Sequence, residues 1–280
     1  PRFCPSPTLQ AAPSELVADR SRKLANKASG AQKKFASYAG MATAFWQMVT
    51  NIAPIYNIQW PGSFAMFMRV LGGIISLDAF KLLPIDCIGR TNHHSGLLFY
   101  VVGTAVVIAI GLGYITHLHY NVSGHRAEAK KELATRGVLV FLNFIYMPVS
   151  TKAFQTYPCK EFEDETEMLK VDYSIDCKSD EHAGYVALAG VTTAVFVIGM
   201  PIVSLELLRR GKLEKDNGVK TGSLVTTFDA LSDSFRPEAY WTQPLLNLQK
   251  VTVSGVLVFF EPSLTQSLAG LGVAIIWFGV

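Results

Sequence analysis

Half of the chain's 280 residues are apolar and only 17% are charged, and the mean hydropathy is positive at +0.28. A soluble domain carries about 25% charge, and here the apolar residues gather in blocks of span length, which excludes a soluble enzyme. A net charge of +3 gives no footprint for a nucleic-acid partner.

A helix needs about 20 mostly apolar residues to cross the hydrocarbon core of a bilayer. In chain order the blocks predict spans over Phe35–Tyr56, Gly96–His117, Gly137–Tyr157, Gly184–Leu208, Leu245–Phe260 (extended by Tyr240 and Trp241), and Ser263 to the end of the chain. A further apolar stretch, Pro61–Leu83, contains Arg69, Asp78 and Lys81. A central charge costs a few kcal/mol or more to insert, so this stretch is expected to lie in the outer interface. The predicted fold is therefore all-α: a polytopic transmembrane helix bundle of about six spans plus one interfacial helix. Residues 1–34 form a basic cytoplasmic segment and 35–280 the multi-pass domain. The start at Pro1 and the stop at Val280 inside an apolar run suggest an interior piece of a longer protein, with no signal peptide in view.

Charge sorts the connections. Arg20, Arg22, Lys23, Lys27, Lys33 and Lys34 precede the first span. Arg126, Lys130, Lys131 and Arg136 join the second to the third, and Arg209, Arg210, Lys212, Lys215, Lys220 and Arg236 join the fourth to the fifth. Excess Lys and Arg mark cytoplasmic loops. The connection Pro158–Ala183, with nine acids against three lysines, falls on the outer side. Of the four cysteines, Cys4 is then cytoplasmic, whereas Cys87, Cys159 and Cys177 face outward, where disulfides persist. Cys159 and Cys177 bracket the acidic loop and are the natural pair, worth about 3 kcal/mol in the chain-entropy picture. Cys87 pairing with either one stays open.

Several stretches, read together, resemble a known family: FASYAGMATAFWQMVTNIAPIYNIQWPGSF, SLDAFKLLPIDC, FLNFIYMPVSTKAFQTYPC, VDYSIDC, and PEAYWTQPLL followed by VSGVLVFF. They are similar to the membrane region of large cell-surface proteins of microbial eukaryotes. Those proteins carry cysteine-rich, ephrin-receptor-like repeats upstream of a transient-receptor-potential-like multi-pass block. The resemblance runs from about Lys34 to Val280 and is most specific at Phe154–Cys159 and Asp172–Cys177. It implies a multi-pass plasma-membrane protein, with channel, transporter and sensor roles all within the family's range.

Polar groups inside a span are functional candidates because burying them in lipid is expensive. Thr43, Gln47 and Asn51 follow i, i+4 spacing on one helical face, as a hydrated pathway or as interhelical hydrogen-bonding groups. Asn143, Pro148 and Lys152 lie in the third predicted span, and Pro201 and Glu206 in the fourth, each proline expected to kink its helix. Glu206 is expected to pair with Arg209 or Arg210. Lys250 lies deeper and needs a partner or a route to water. Clustered carboxylates in EFEDETE lack EF-hand spacing and read as a solvated face. His93–His94, His117, His119, His125 and His182 leave a metal site open, but paired interface histidines are usually incidental. No Walker A loop, GxGxxG or HExxH is present, so no catalytic residue, cofactor or metal is assigned. Gly111 and Gly113 read as helix packing. Asn121-Val-Ser is a glycosylation sequon that this topology leaves in the cytoplasm and unmodified. Partners are the lipid bilayer and, at the basic loops, anionic lipids. Two functions follow as expectations: an ion channel or conduit, or a non-conducting receptor or adhesion anchor for a cysteine-rich ectodomain.

Overall fold

A computed structural model describes residues 61–75, 92–121, 125–219, 222–232, 239–260 and 264–278, with single residues between 38 and 50. The chain forms two units, Pro1–Ala44 and Phe45–Val280. In the first, the described residues Tyr38, Gly40, Ala42 and Thr43 are helical. The second holds everything below. Cys4, Cys87, Asn51 and the basic segment 1–34 lie outside the described residues.

Helix α1 is Gly62–Ile75, 14 residues and about 21 Å long at 1.5 Å per residue, short of the hydrocarbon thickness. Two long helices follow, α2 (His93–Asn121) and α3 (His125–Phe154). Asn92 caps α2, its Oδ1 accepting from the backbone N–H and the hydroxyl of Ser95 at 2.9 and 2.8 Å. Gly111 brings the two helices close, because a Cβ there would meet Val138 at 2.5 Å, whereas Gly113 faces open space.

After α3 the chain builds something the all-α expectation missed. The acidic connection folds into a three-stranded antiparallel sheet of β1 (Cys159–Glu161), β2 (Glu167–Leu169) and β3 (Asp172–Asp176). The strands are too short, and their charges too dense, for an alternating pattern to show. Leu169 and Ile175 supply the sheet's buried side chains.

Helix α4 (Asp180–Thr192) starts at Ser179, whose hydroxyl accepts from the His182 N–H at 3.2 Å. Asp180 and Glu181 in its first turn suit the positive end of the helix dipole. It runs through a π-helical segment, Thr193–Ile198, into α5 (Gly199–Asp216). Gly218, at φ 85°, closes α5 with paired bonds from Gly218 N–H to Lys215 O and from Val219 N–H to Glu214 O. Then come α6 (Ser223–Ser232), α7 (Thr242–Ser254) with a 3-10 turn over Val256–Phe259, and α8 (Leu264–Phe278).

Among the described residues three helical stretches are long and apolar enough to cross a membrane: His93–Leu118, Lys130–Phe154 and Asp180–Asp216. They match the second, third and fourth predicted spans. Of the six predicted spans, these three are the ones that reach span length among the described residues. Helix α7 has 13 residues and ends at Gly255, where the Phe154 ring occupies the space a Cβ would need. Only glycine fits that approach, and the helix breaks there into the 3-10 turn. Helix α8 has 15 residues. Apolar side chains such as Val195, Ile202 and Ile275 remain well over half exposed, which suits a lipid surround.

Helix α3 is the central element, and Ile145 to Ser150 are all buried. Leu97, Ala153 and Ala189 join α2, α3 and α4, while Leu208, Phe228 and Leu231 join α5 to α6. Lipid tails are as apolar as these side chains, so association rests on close packing and interhelical hydrogen bonds rather than on hydrophobic burial.

Candidate functional site

Four helix ends meet beneath the small sheet. The first turn of α2 carries His93 and His94, the C-terminal end of α3 leads into Thr156 and Tyr157, the first turn of α4 carries His182, and the 3-10 turn after α7 ends at Phe259. The reversals of the chain between α2, α3 and α4 bring these helix ends together.

The disulfide Cys159–Cys177 spans 18 positions, and of the pairings left open at the sequence level this is the one formed. It ties β1, which follows directly from α3, to the residue after β3, just ahead of α4. Asp172 links the sheet to α2. Its Oδ2 accepts from the His93 backbone N–H at 2.9 Å, while its Oδ1 accepts from the Ser174 N–H and hydroxyl at 3.1 and 2.7 Å. Partial burial pushes the Asp172 carboxyl upward, but the hydrogen bonds from Ser174 and His93 outweigh it and hold the group below its ordinary value. Lys170 Nζ donates to Phe260 O at 3.2 Å, and Phe259 stacks on Tyr157.

Histidines form the centre of this junction. The His93 ring contacts the Thr156 hydroxyl at 3.1 Å. His94 Nε2 lies 3.1 Å from His182 Nδ1, and the His94 ring stacks on Tyr185 with centroids 4.0 Å apart. Beyond them, His182 Nε2 is 4.0 Å from Cys159 Sγ, and His94 Nδ1 is 4.0 Å from Glu181 Oε1. All three histidines are at least 95% buried. The sulfurs of Cys159 and Cys177 and a ring nitrogen of His182 lie within 4.8 Å of one another. Both sulfurs are committed to the disulfide, so the cluster is a disulfide beside an imidazole rather than a metal centre.

A second polar assembly lies inside the bundle. Proline frees the carbonyl four residues before it, and here each freed carbonyl has a donor from another helix. Pro148 frees Phe144 O, which accepts from Gln47 Nε2 at 2.9 Å. Pro201 frees Val197 O, at the end of the π segment, which accepts from the Tyr146 hydroxyl at 2.7 Å. Asn143 Oδ1 accepts from Gln243 Nε2 and Asn247 Nδ2 at 3.0 and 2.9 Å, and Asn143 Nδ2 donates to Leu139 O. Asn247 Oδ1 is buried with no hydrogen-bond partner among the described residues.

The sequence candidates thus separate. Gln47, Asn143 and Lys250 are in the bundle, Lys250 being 7% exposed and one turn beyond Asn247. Thr43 belongs to the first unit. Lys152 lies in the last turn of α3, its Nζ 3.4 Å from where a Cβ on Gly96 would sit, and so belongs to the junction. Glu206 pairs with Arg210 at 2.7 Å. Sequence reasoning left out Asp172, Thr156, Tyr146, Gln243 and Asn247, and read His93, His94 and His182 as incidental. The available signal was the topology, which put all three histidines at outer helix ends.

No protein-family model, curated protein or solved structure matches this chain.

Proposed function

We propose that this chain is the membrane-embedded relay of a larger cell-surface protein, a receptor- or adhesion-type anchor whose outward cap passes its state to helix ends on the cytoplasmic face. One observation carries the reading: Asp172, the histidines and the disulfide fasten a single small sheet to the ends of α2, α3 and α4. The continuous helical run from Asp180 to Asp216 has 37 residues and is about 55 Å long at 1.5 Å per residue. It leads from that junction to a basic end. There Lys215 Nζ pairs with Asp229 at 2.7 Å and Lys212 Nζ lies 4.9 Å from the Tyr240 ring centroid. A displacement of the cap would therefore be delivered to α6 and the start of α7. In this reading segment 35–56, α7 with its 3-10 turn, and α8 complete about six crossings, α1 lies in the outer interface, the host is the plasma membrane, and the basic loops meet anionic lipid.

A conduit of the transient-receptor-potential-like kind is the second reading, favoured by the Asn143–Gln243–Asn247 layer with its unpartnered buried oxygen. Only residues 261–263 separate Phe260 from α8, too few for a pore loop, so any path would run along that layer.

Reconstituting the protein in vesicles separates the two. The relay predicts that Asp172→Ala alters amide exchange over residues 209–232 while no ion flux appears, and that the Asn121 sequon stays bare. A flux that Asn247→Leu abolishes would make the conduit correct. Unchanged exchange at 209–232 would remove the relay.

A further inference from the structure

Glu181, His94, His182 and Cys159 form a row: carboxylate, imidazole, imidazole, sulfur. The separations are 4.0, 3.1 and 4.0 Å. Both histidines are 3% exposed, whereas the Glu181 side chain is 73% exposed. One end of the row is therefore in solvent and the other is at the disulfide. Cys159 is exposed and Cys177 partly so, so a small molecule can reach either sulfur of the bond. A structural staple needs none of this apparatus.

We propose that Cys159–Cys177 is an exchangeable disulfide, opened by small-molecule thiols, with Cys159 as the leaving sulfur and His182 as the acid that protonates it. A thiolate RS⁻, formed when RSH gives its proton to solvent, attacks Cys177 Sγ. The R–S–S–Cys177 bond forms, the Cys159–Cys177 bond breaks, and the electron pair passes to Cys159 Sγ. His182 Nε2–H gives its proton to that sulfur, His182 Nδ1 takes one from His94 Nε2, and His94 Nδ1 is reprotonated from solvent beside Glu181. The net reaction joins one thiol to the disulfide, giving a mixed disulfide at Cys177 and a thiol at Cys159. A second thiol releases RSSR and leaves Cys177 reduced, so two thiols are oxidised as the protein disulfide is reduced. Exchange rates depend on how well the leaving thiolate is stabilised and on which sulfur is attacked, and His182 biases both.

The consequence for signalling rests on the relay reading, because the bond joins the end of α3 to the start of α4. The chemistry does not rest on it. The test treats the full chain in detergent with reduced glutathione, quenches with acid, alkylates, and maps the adduct by peptide mass spectrometry. Glutathione is expected on Cys177 with alkylated Cys159, and His182→Gln is expected to slow adduct formation about tenfold and spread it over both cysteines. A cap merely loosened by the substitution would open faster, so the direction of the rate change separates loss of the acid from loss of structure. Glu181→Gln, at an exposed position, should slow the reaction while lowering the thermal transition of the oxidised protein by no more than the loss of one helix-dipole charge. An adduct mainly on Cys159, or a rate that His182→Gln leaves unchanged or raises, would overturn the proposal whatever the protein's signalling role.

Discussion

The cap and the bundle satisfy polar groups in opposite ways. In the cap, the turns close between partners two positions apart: Asp164 accepts from Thr166, Asp172 from Ser174, and Asp176 from Lys178. In the bundle, the bonds of the polar assembly that join one helix to another link residues 51 to 104 positions apart, as in Tyr146 to Val197 O and Asn247 to Asn143. Water can complete a local turn at little cost, so short side chains beside their own backbone suffice in the loop. Lipid offers no such completion, and each carbonyl freed by proline needs a donor carried on another helix. The cap is therefore held by one covalent bond, local turns and two links to the helices, Asp172 to His93 and Lys170 to Phe260 O, and the bundle by a few long-range donors.

Removing the covalent bond is the largest break. Replacing both cysteines, Cys159→Ser with Cys177→Ser, should destabilise the cap by about 3 kcal/mol. Amide exchange should rise over residues 159–177 and stay unchanged in the centre of α3. If the bundle melted with the cap, the two regions would be one cooperative unit and the contrast would fail.

Next in size is Tyr146→Phe. It leaves Val197 O buried without its donor, at a cost of about 1–3 kcal/mol, read by denaturant titration in detergent. The same change in a Pro201→Ala background should cost less, because an alanine N–H at 201 can serve that carbonyl. A cycle with no coupling between the two sites would show that the proline is not what gives the hydroxyl its role. Gln47→Leu, which orphans Phe144 O below Pro148, should behave alike at about 0.6–2 kcal/mol, the range of interhelical hydrogen bonds in membranes.

This contrast also sets what was legible beforehand. Helix identity was, because His93–Leu118, Lys130–Phe154 and Asp180–Asp216 are long apolar runs, and the Cys159–Cys177 pair followed from its bracketing of the loop. Pro148 and Pro201 were visible as breaks in the ladder. Their partners were not, since nothing local to Gln47 or Tyr146 says which distant carbonyl it will meet. The sheet escaped for a different reason. Two of its strands, β1 and β2, have three residues each, too few to show a period of two, and its charges hid Leu169 and Ile175. The approach of Phe154 to Gly255, where α7 ends, is a tertiary fact with no signature in VTVSGVLVFF.

Asp172 is where the two regimes meet, and it sharpens the comparison with the mildest perturbation. One carboxylate oxygen serves Ser174, two positions on, and the other serves His93, 79 positions away. Hydrogen bonds to the ionised form hold this carboxyl below its ordinary value of 3.8. A carboxyl depressed on folding stabilises the folded state above the unfolded pKa, and that contribution is lost as the pH falls through the lower, folded value. Acidification below about 3.8 should therefore release the cap from the first turn of α2, raising amide exchange at His93 and His94 while the Asp164 turn, free of any long-range partner, loosens without consequence for the helices. Asp172→Asn keeps an acceptor oxygen but removes the titrating charge, so it should weaken the docking modestly at neutral pH and abolish its acid dependence. If exchange at His93 rose equally with acid in both proteins, another group would be holding the cap to α2, and the local and long-range modes would not share a residue after all.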